Sequence, residues 1–120
     1  TECTAGCALA GATRAAAAAG AEAVGVIHGS SFGAFLRSPA LAGGDVGIVG
    51  VACAPGLLGA GWRAREAGLP AQCVLLDASG CGHWLDRPAP TRLDLAELRR
   101  ILALPAVPGR TSPALAARCA

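Results

Sequence analysis

Apolar and polar positions divide the chain into alternating helices and strands. Ala8 to Gly20 is dominated by alanine, the best helix former, and Gly20 is placed to end the element. Ala23-Val24-Gly25-Val26-Ile27 follows as a short apolar strand. Ser31 to Leu41 sets Phe32, Phe35 and Leu36 on one helical face, so a second short helix is predicted. Ala42-Gly43-Gly44-Asp45 is a turn. Val46 to Ala52 is apolar on both faces, as a central parallel strand must be. Pro55 to Ala67 reads as a helix with proline in its first turn and Gly68 beyond its end. Leu57, Leu58, Trp62 and Arg65 fall at helical spacing along it. Gln72 to Leu76 is a third strand and Asp77 to Pro90 a long turn-rich loop. Asp94 to Leu104 is the last helix; Asp94 with Glu97 resembles a capping box, and Pro105 stops the run.

Strands alternating with helices imply a parallel sheet with right-handed crossovers. The expected fold is a small three-layer α/β domain with a short parallel sheet of about three strands and alternating helices. Residues 1–104 are read as one α/β domain carrying an N-terminal cysteine pair, and residues 105–120 as a weakly structured C-terminal tail. A length of 120 residues agrees with one domain. Ligands of such sheets bind outside the carboxyl ends of the strands. Three segments are expected on that edge: His28-Gly29-Ser30-Ser31, Cys53-Ala54-Pro55-Gly56, and Asp77 through Trp84 with Cys81 and His83.

Composition narrows the field. A hydrophobic fraction of 53% with 15% charged residues is globular, far from a disordered chain. All ten basic residues are arginine, a coding bias toward GC-rich codons, and the net charge of +2 gives no electrostatic footprint for nucleic acid or membranes. The apolar run from Val46 to Ala60 is interrupted by Pro55 and repeated glycines, so no membrane segment is expected in this chain. A signal peptide is not expected either, because the start lacks a basic region and carries cysteines where an apolar stretch belongs. The chain begins at Thr1 without Met, as a fragment would. Six cysteines are many for this length. An α/β domain with long apolar strands folds without disulfides, so they imply a reducing, cytoplasmic setting in which clustered thiols act as ligands or catalysts.

The thiols differ in placement. Cys3 and Cys7 stand four apart and share a face if that turn is helical, close enough for one metal or cluster; incidental terminal cysteines would look the same. Cys53 lies between the central strand and a helix N-terminus. Helix N-termini favour a negative group, and thiolate is the form that binds metal or attacks electrophiles. A small buried residue at a strand end is the alternative. Cys81 sits between Gly80 and Gly82, where the backbone can turn sharply toward a ligand, and His83 two residues on could be a ligand, a base or a donor to sulfur. His28 ends a strand and could serve as a base near Cys53. Cys73, inside the third strand, reads as core, Cys119 as dispensable, and Trp62 and Trp84 as packing residues. Gly29-Ser30-Ser31 could hold an anion at a helix start but lacks the spacing of a Walker or Rossmann loop.

Val49-Gly50-Val51-Ala52-Cys53, Gly68-Leu69-Pro70-Ala71-Gln72-Cys73-Val74-Leu75-Leu76-Asp77 and Gly80-Cys81 together resemble the Cys-rich prokaryotic family catalogued as domain of unknown function 116. The likeness runs from about Thr1 to Leu104, and the Cys3/Cys7 segment is similar to the cysteine cluster that precedes the core there. It implies an α/β fold and a metal- or iron–sulfur-binding role, with Cys3, Cys7, Cys53 and Cys81 at the matching cysteine positions. Two departures stand out. The family's N-terminal cluster tends to hold more than two cysteines, and Cys73 stands where the family has a small or apolar residue.

Three functions are therefore in play. The first is a metal- or iron–sulfur-binding protein using Cys3, Cys7, Cys53 and Cys81. Four thiolates suit a [4Fe–4S] cluster or tetrahedral Zn²⁺. The isolated positions of Cys53 and Cys81 favour the cluster, since zinc ribbons pair their ligands in close knuckles. A redox partner protein would then be expected. The second is a thiol enzyme for sulfur transfer or thiol redox chemistry, with Cys53 as nucleophile, His28 or His83 as base and backbone N–H groups stabilising an anion. A phosphatase loop is excluded because position 59 is glycine. The third is a binding or scaffold domain with incidental cysteines.

Overall fold

The computed structural model describes residues 7–25, 29–42, 46–78, 90–104 and 114–117. They form α1 (Ala8–Ala18), β1 (Ala23–Gly25), α2 (Gly29–Leu36), α3 (Pro39–Ala42), β2 (Ile48–Ala52), α4 (Ala54–Glu66), β3 (Ala71–Leu75), α5 (Leu95–Leu102) and β4 (Ala114–Ala117). The expected α/β class is what the chain adopts. The four strands are all parallel, in the order β1-β4-β2-β3.

Two sequence expectations are corrected here. The sheet has a fourth strand, and it comes from the segment read as a weakly structured tail: Ala114–Ala117 pairs with β1 on one side and β2 on the other. Alanine has low strand propensity, but a chain with strand partners on both sides takes its conformation from that context. The second helix is also divided. Pro39 cannot donate to the previous turn and biases Ser38 away from helix, so α2 ends at Leu36 and the short α3 begins at Pro39.

The layers follow from which face each strand residue presents. Val49 and Val51 of β2 and Val74 of β3 pack with Ala12, Ala15 and Ala16 of α1 and Leu98, Ile101 and Leu102 of α5. Val24, Ile48, Phe32, Phe35 and Ala64 form a second cluster on the opposite face, under α2 and α4. Alternation along β2, with Ile48 on one face and Val49 on the other, is the period of an extended strand buried on both sides. The chain moves β1→β2→β3 across the sheet over the α2/α4 face, then returns to β4 over the α1/α5 face. Reversing direction while changing face keeps one hand of crossover throughout.

Helix ends obey local chemistry. Gly20 (φ 71°) and Gly68 (φ 70°) occupy the left-handed region that ends α1 and α4. Beyond them, Ala21 N–H donates to the Ala16 carbonyl and Leu69 N–H to the Ala64 carbonyl. At α5, the Asp94 carboxylate accepts from Ala96 N–H at 2.9 Å and Glu97 N–H at 3.0 Å, the cap its sequence position implied. Glu97 does not complete the box; both its oxygens accept from Arg100 at 2.7 Å.

The docking face of α4 differs from the one its large apolar residues suggested. Gly56 and Ala64 are buried and Ala60 is half-buried, a small-residue stripe at i, i+4, i+8. Leu58 and Trp62 are 68% and 63% exposed. Trp62 is therefore not a packing residue; its ring carries the Arg65 guanidinium 5.7 Å from the ring centroid.

A candidate thiol site at the carboxyl edge of the sheet

The carboxyl edge is where the helices start. α2 follows the end of β1 and α4 follows the end of β2. Asp77 N–H donates to the Arg92 carbonyl at 3.0 Å and Arg92 N–H to the Ala78 carbonyl at 2.8 Å, which holds the run into α5 against the end of β3. α1 is tied to the same end, because the Gly11 position abuts the Leu95 side chain at the first turn of α5. A Cβ on Gly11 would stand 2.9 Å from Leu95 Cδ1. The N-termini of α1, α2, α4 and α5 thus gather on one edge, and each brings unsatisfied N–H groups and the positive end of a helix dipole.

Three of these helices have their N-cap described, and the caps are Cys7, Cys53 and Asp94. Their backbones match: φ/ψ is −70°/132°, −68°/161° and −72°/98°. Each carbonyl accepts the first helical hydrogen bond, from Gly11, Leu57 and Leu98 respectively. Their side chains differ. Asp94 caps its helix, whereas neither cysteine makes a side-chain capping bond. Cys7 and Cys53 are both half-buried. Sulfur is a weak acceptor, and a helix N-terminus is a position that favours a negative group. Cys53 is a free thiol.

Sheet topology singles out one point on this edge. β2 and β3 are neighbours, yet the chain leaves β2 over one face through α4 and leaves β3 toward the other face through α5. Adjacent strands that diverge in this way open a crevice beyond their carboxyl ends, the usual ligand position in open α/β sheets. Cys53 lies directly after β2 on one lip, and Leu76 to Ala78, directly after β3, stand on the other. Cys7 starts α1 on the α5 side.

Of the sequence-derived candidates, Cys7 and Cys53 are therefore placed on the same edge, on helices covering opposite faces. Cys3, Cys81, His28 and His83 lie outside the described residues, as do Cys119 and Trp84. Among the described residues no group of three or more His, Cys, Asp or Glu side chains is assembled, and no helix is long and apolar enough to cross a membrane. The reading of Cys73 as core is corrected: β3 is an edge strand, and Cys73 is an exposed free thiol on its α4-side face.

That face also holds a cleft of about 250 Å³, open to solvent, between α4 and the strands, with Phe32, Gly50, Ala60, Arg63, Gln72 and Cys73 in its lining. Sequence reasoning missed it. Its signal was Gly50 inside the best strand of the chain, since an interior strand glycine marks a bulge or a close approach of ligand or backbone.

Comparison of the chain with protein-family models, with curated proteins and with solved structures finds no match.

Proposed function

We propose that the carboxyl edge is a thiolate site that binds a metal or an iron–sulfur cluster, with Cys3, Cys7, Cys53 and Cys81 as its ligands. The observation that carries this reading is the pair of N-cap cysteines, neither capping its helix, on the edge where four helix N-termini gather. A cluster held by four thiolates is anionic, and helix N-termini stabilise negative charge. The donor set is soft sulfur, which suits iron–sulfur clusters and Zn²⁺ over oxygen-seeking cations. Cys81 follows β3 in the sequence, six residues after Leu75, and Cys3 lies four residues before Cys7. A [4Fe–4S] cluster is preferred over zinc because Cys53 and Cys81 stand alone in the sequence. When bound, such a cluster supplies one-electron transfer or a Lewis-acidic iron, and the chain's part is to hold and shield it. The resemblance to domain of unknown function 116 agrees with this assignment.

The test is ligand substitution in protein purified without oxygen. Cys53→Ser and Cys81→Ser should each remove most of the bound metal, with the circular dichroism of the fold kept. Cys73→Ser, a control away from the edge, should remove none. Unchanged metal in both edge variants would overturn the assignment.

A second reading rests on Cys53 alone. A half-buried free thiol at a helix N-terminus, beside the topological crevice, is placed for nucleophilic sulfur chemistry. This reading expects metal-free protein in which iodoacetamide modifies Cys53 much faster than Cys73, although Cys73 is the more exposed. Faster modification of Cys73 would exclude it.

A further inference from the structure

The two outermost strands of the sheet are finished differently. β1 is 3 residues long, whereas β3 is 5, Ala71–Leu75. Sheet edges are ordinarily guarded against further pairing by shortness, charge, proline or a bulge. β1 has the first of these guards. β3 has no charge and no proline within its span, its register with β2 is unbroken, and Ala71, Gln72, Cys73 and Leu75 are all exposed.

Two hydrogen bonds fix which backbone groups of β3 point outward. Ile48 N–H donates to the Pro70 carbonyl at 2.9 Å, and Leu76 N–H to the Ala52 carbonyl at 3.1 Å. A strand residue points its N–H and C=O to one side, and the sides alternate along the strand. Pro70, Gln72, Val74 and Leu76 therefore bond toward β2, while Ala71, Cys73 and Leu75 present both groups to the outside. The next outward residue, Asp77, is already taken, because its N–H donates to the Arg92 carbonyl at 3.0 Å. At the other end Pro70 has no N–H to offer, and Gly68 at φ 70° turns the chain back to α4. The open stretch is thus Ala71–Leu75, closed on the carboxyl side by Arg92.

A second β3 fits this opening end to end. With the strands antiparallel and a two-fold axis at Cys73, Ala71 faces Leu75, Cys73 faces Cys73 and Leu75 faces Ala71. Outward residues face outward residues, so each exchanges both of its hydrogen bonds. An axis at Gln72 sets Leu75 opposite Leu69, outside the strand. An axis at Val74 sets Ala71 of the second copy opposite Asp77, where Arg92 already stands. Only the Cys73 axis uses every outward group. No like charges meet, and small Ala71 lies opposite Leu75, which is 54% exposed. The contact is isologous and closes on itself, leaving only the short β1 at each end of the joined sheet.

We infer that the chain forms a two-fold homodimer by antiparallel pairing of β3 with β3, with Cys73 facing its counterpart on the axis. The contact uses the side of the sheet and not its carboxyl edge, so it stands or falls independently of any metal there.

The test is sedimentation equilibrium of variants charged at position 73. Cys73 is exposed, so Cys73→Lys and Cys73→Glu should keep the fold, as circular dichroism will show. Like charges directly opposite across strands are destabilising. Each variant alone should therefore be a monomer at concentrations where the wild type is a dimer, and an equimolar mixture of the two should restore the dimer. In the wild type, amide exchange at Ala71, Cys73 and Leu75 should slow roughly tenfold once about nine-tenths of the chain is dimeric, by mass action. A monomeric wild type overturns the inference, as does a dimer that survives in both single variants. A mixture that stays monomeric removes the axis at Cys73 and overturns it too. Slow exchange of these amides at every concentration would show that the chain covers its own edge, with the same consequence.

Discussion

Leu98→Ala and Leu58→Ala delete the same atoms from two environments, and the difference between them measures which surfaces hold the fold. Leu98 is 0% exposed, in the cluster formed by α1, α5 and the valines of β2 and β3. Removing three buried carbons forfeits about 2 kcal/mol of transfer free energy, at roughly 0.8 kcal/mol per methylene. The cavity left between two helices and a sheet adds to this, and measured leucine-to-alanine costs in such cores run from about 2.7 to 5 kcal/mol. We expect about 3–4 kcal/mol for Leu98→Ala. Leu58 is 68% exposed on the outer side of α4, where substitutions cost within about 0.5 kcal/mol. A domain of this length is stable by roughly 6–18 kcal/mol, so both variants remain folded. Urea denaturation followed by circular dichroism should give a much lower midpoint for Leu98→Ala, an unchanged slope, and near-identity of Leu58→Ala with wild type. Equal costs, or a larger one at Leu58, would mean that α4 docks through Leu58 and Trp62, and the layer assignment would fail.

Three further outcomes are expected. Asp94→Ala should cost about 1 kcal/mol by removing the cap bonds to Ala96 and Glu97, and Asp94→Asn should recover most of it in the same denaturation assay. Gly68→Ala should cost about 1–2 kcal/mol, because alanine is strained at φ 70°, whereas Gly61→Ala on the same helix should be neutral or stabilising. The hydrogen bonds from Arg100 hold the Glu97 carboxyl below its ordinary value of 4.5. A depressed carboxylate contributes stability above the unfolded value that is lost as pH falls through the folded one. The stability gap between wild type and Glu97→Gln should therefore be present at neutral pH and close as pH falls below the ordinary carboxyl value and through the lowered one, and, both groups being solvent-exposed, it should shrink in high salt.

What the sequence showed and what it concealed divide along physical lines. The α5 cap was legible because Asp94 directly precedes an amphipathic run, and Cys53 was legible as a helix start because Ala52-Cys53-Ala54-Pro55 changes from strand pattern to proline at the first turn. The face of α4 was misread because contact there is made by Gly56, Ala60 and Ala64, which carry little hydrophobic signal, while Leu58 and Trp62 carry much and point outward. β4 was concealed because Ala114-Leu115-Ala116-Ala117 has no strand signature of its own and is defined by β1 and β2 on either side. Cys73 looked like core because its neighbours are apolar, and only the strand order reveals that β3 is an edge. The candidate site was half legible. The carboxyl-edge rule located Cys53, but Cys7 reached that edge through the packing of Gly11 on Leu95, a long-range contact that no local pattern encodes.

The most direct test of the proposed thiolate site is iron, zinc and acid-labile sulfide content of the chain purified without oxygen, with its visible spectrum. The account predicts near four irons and four sulfides per chain, with a broad band around ~400 nm. Protein that holds neither iron nor zinc, in native form and after anaerobic reconstitution, would contradict it.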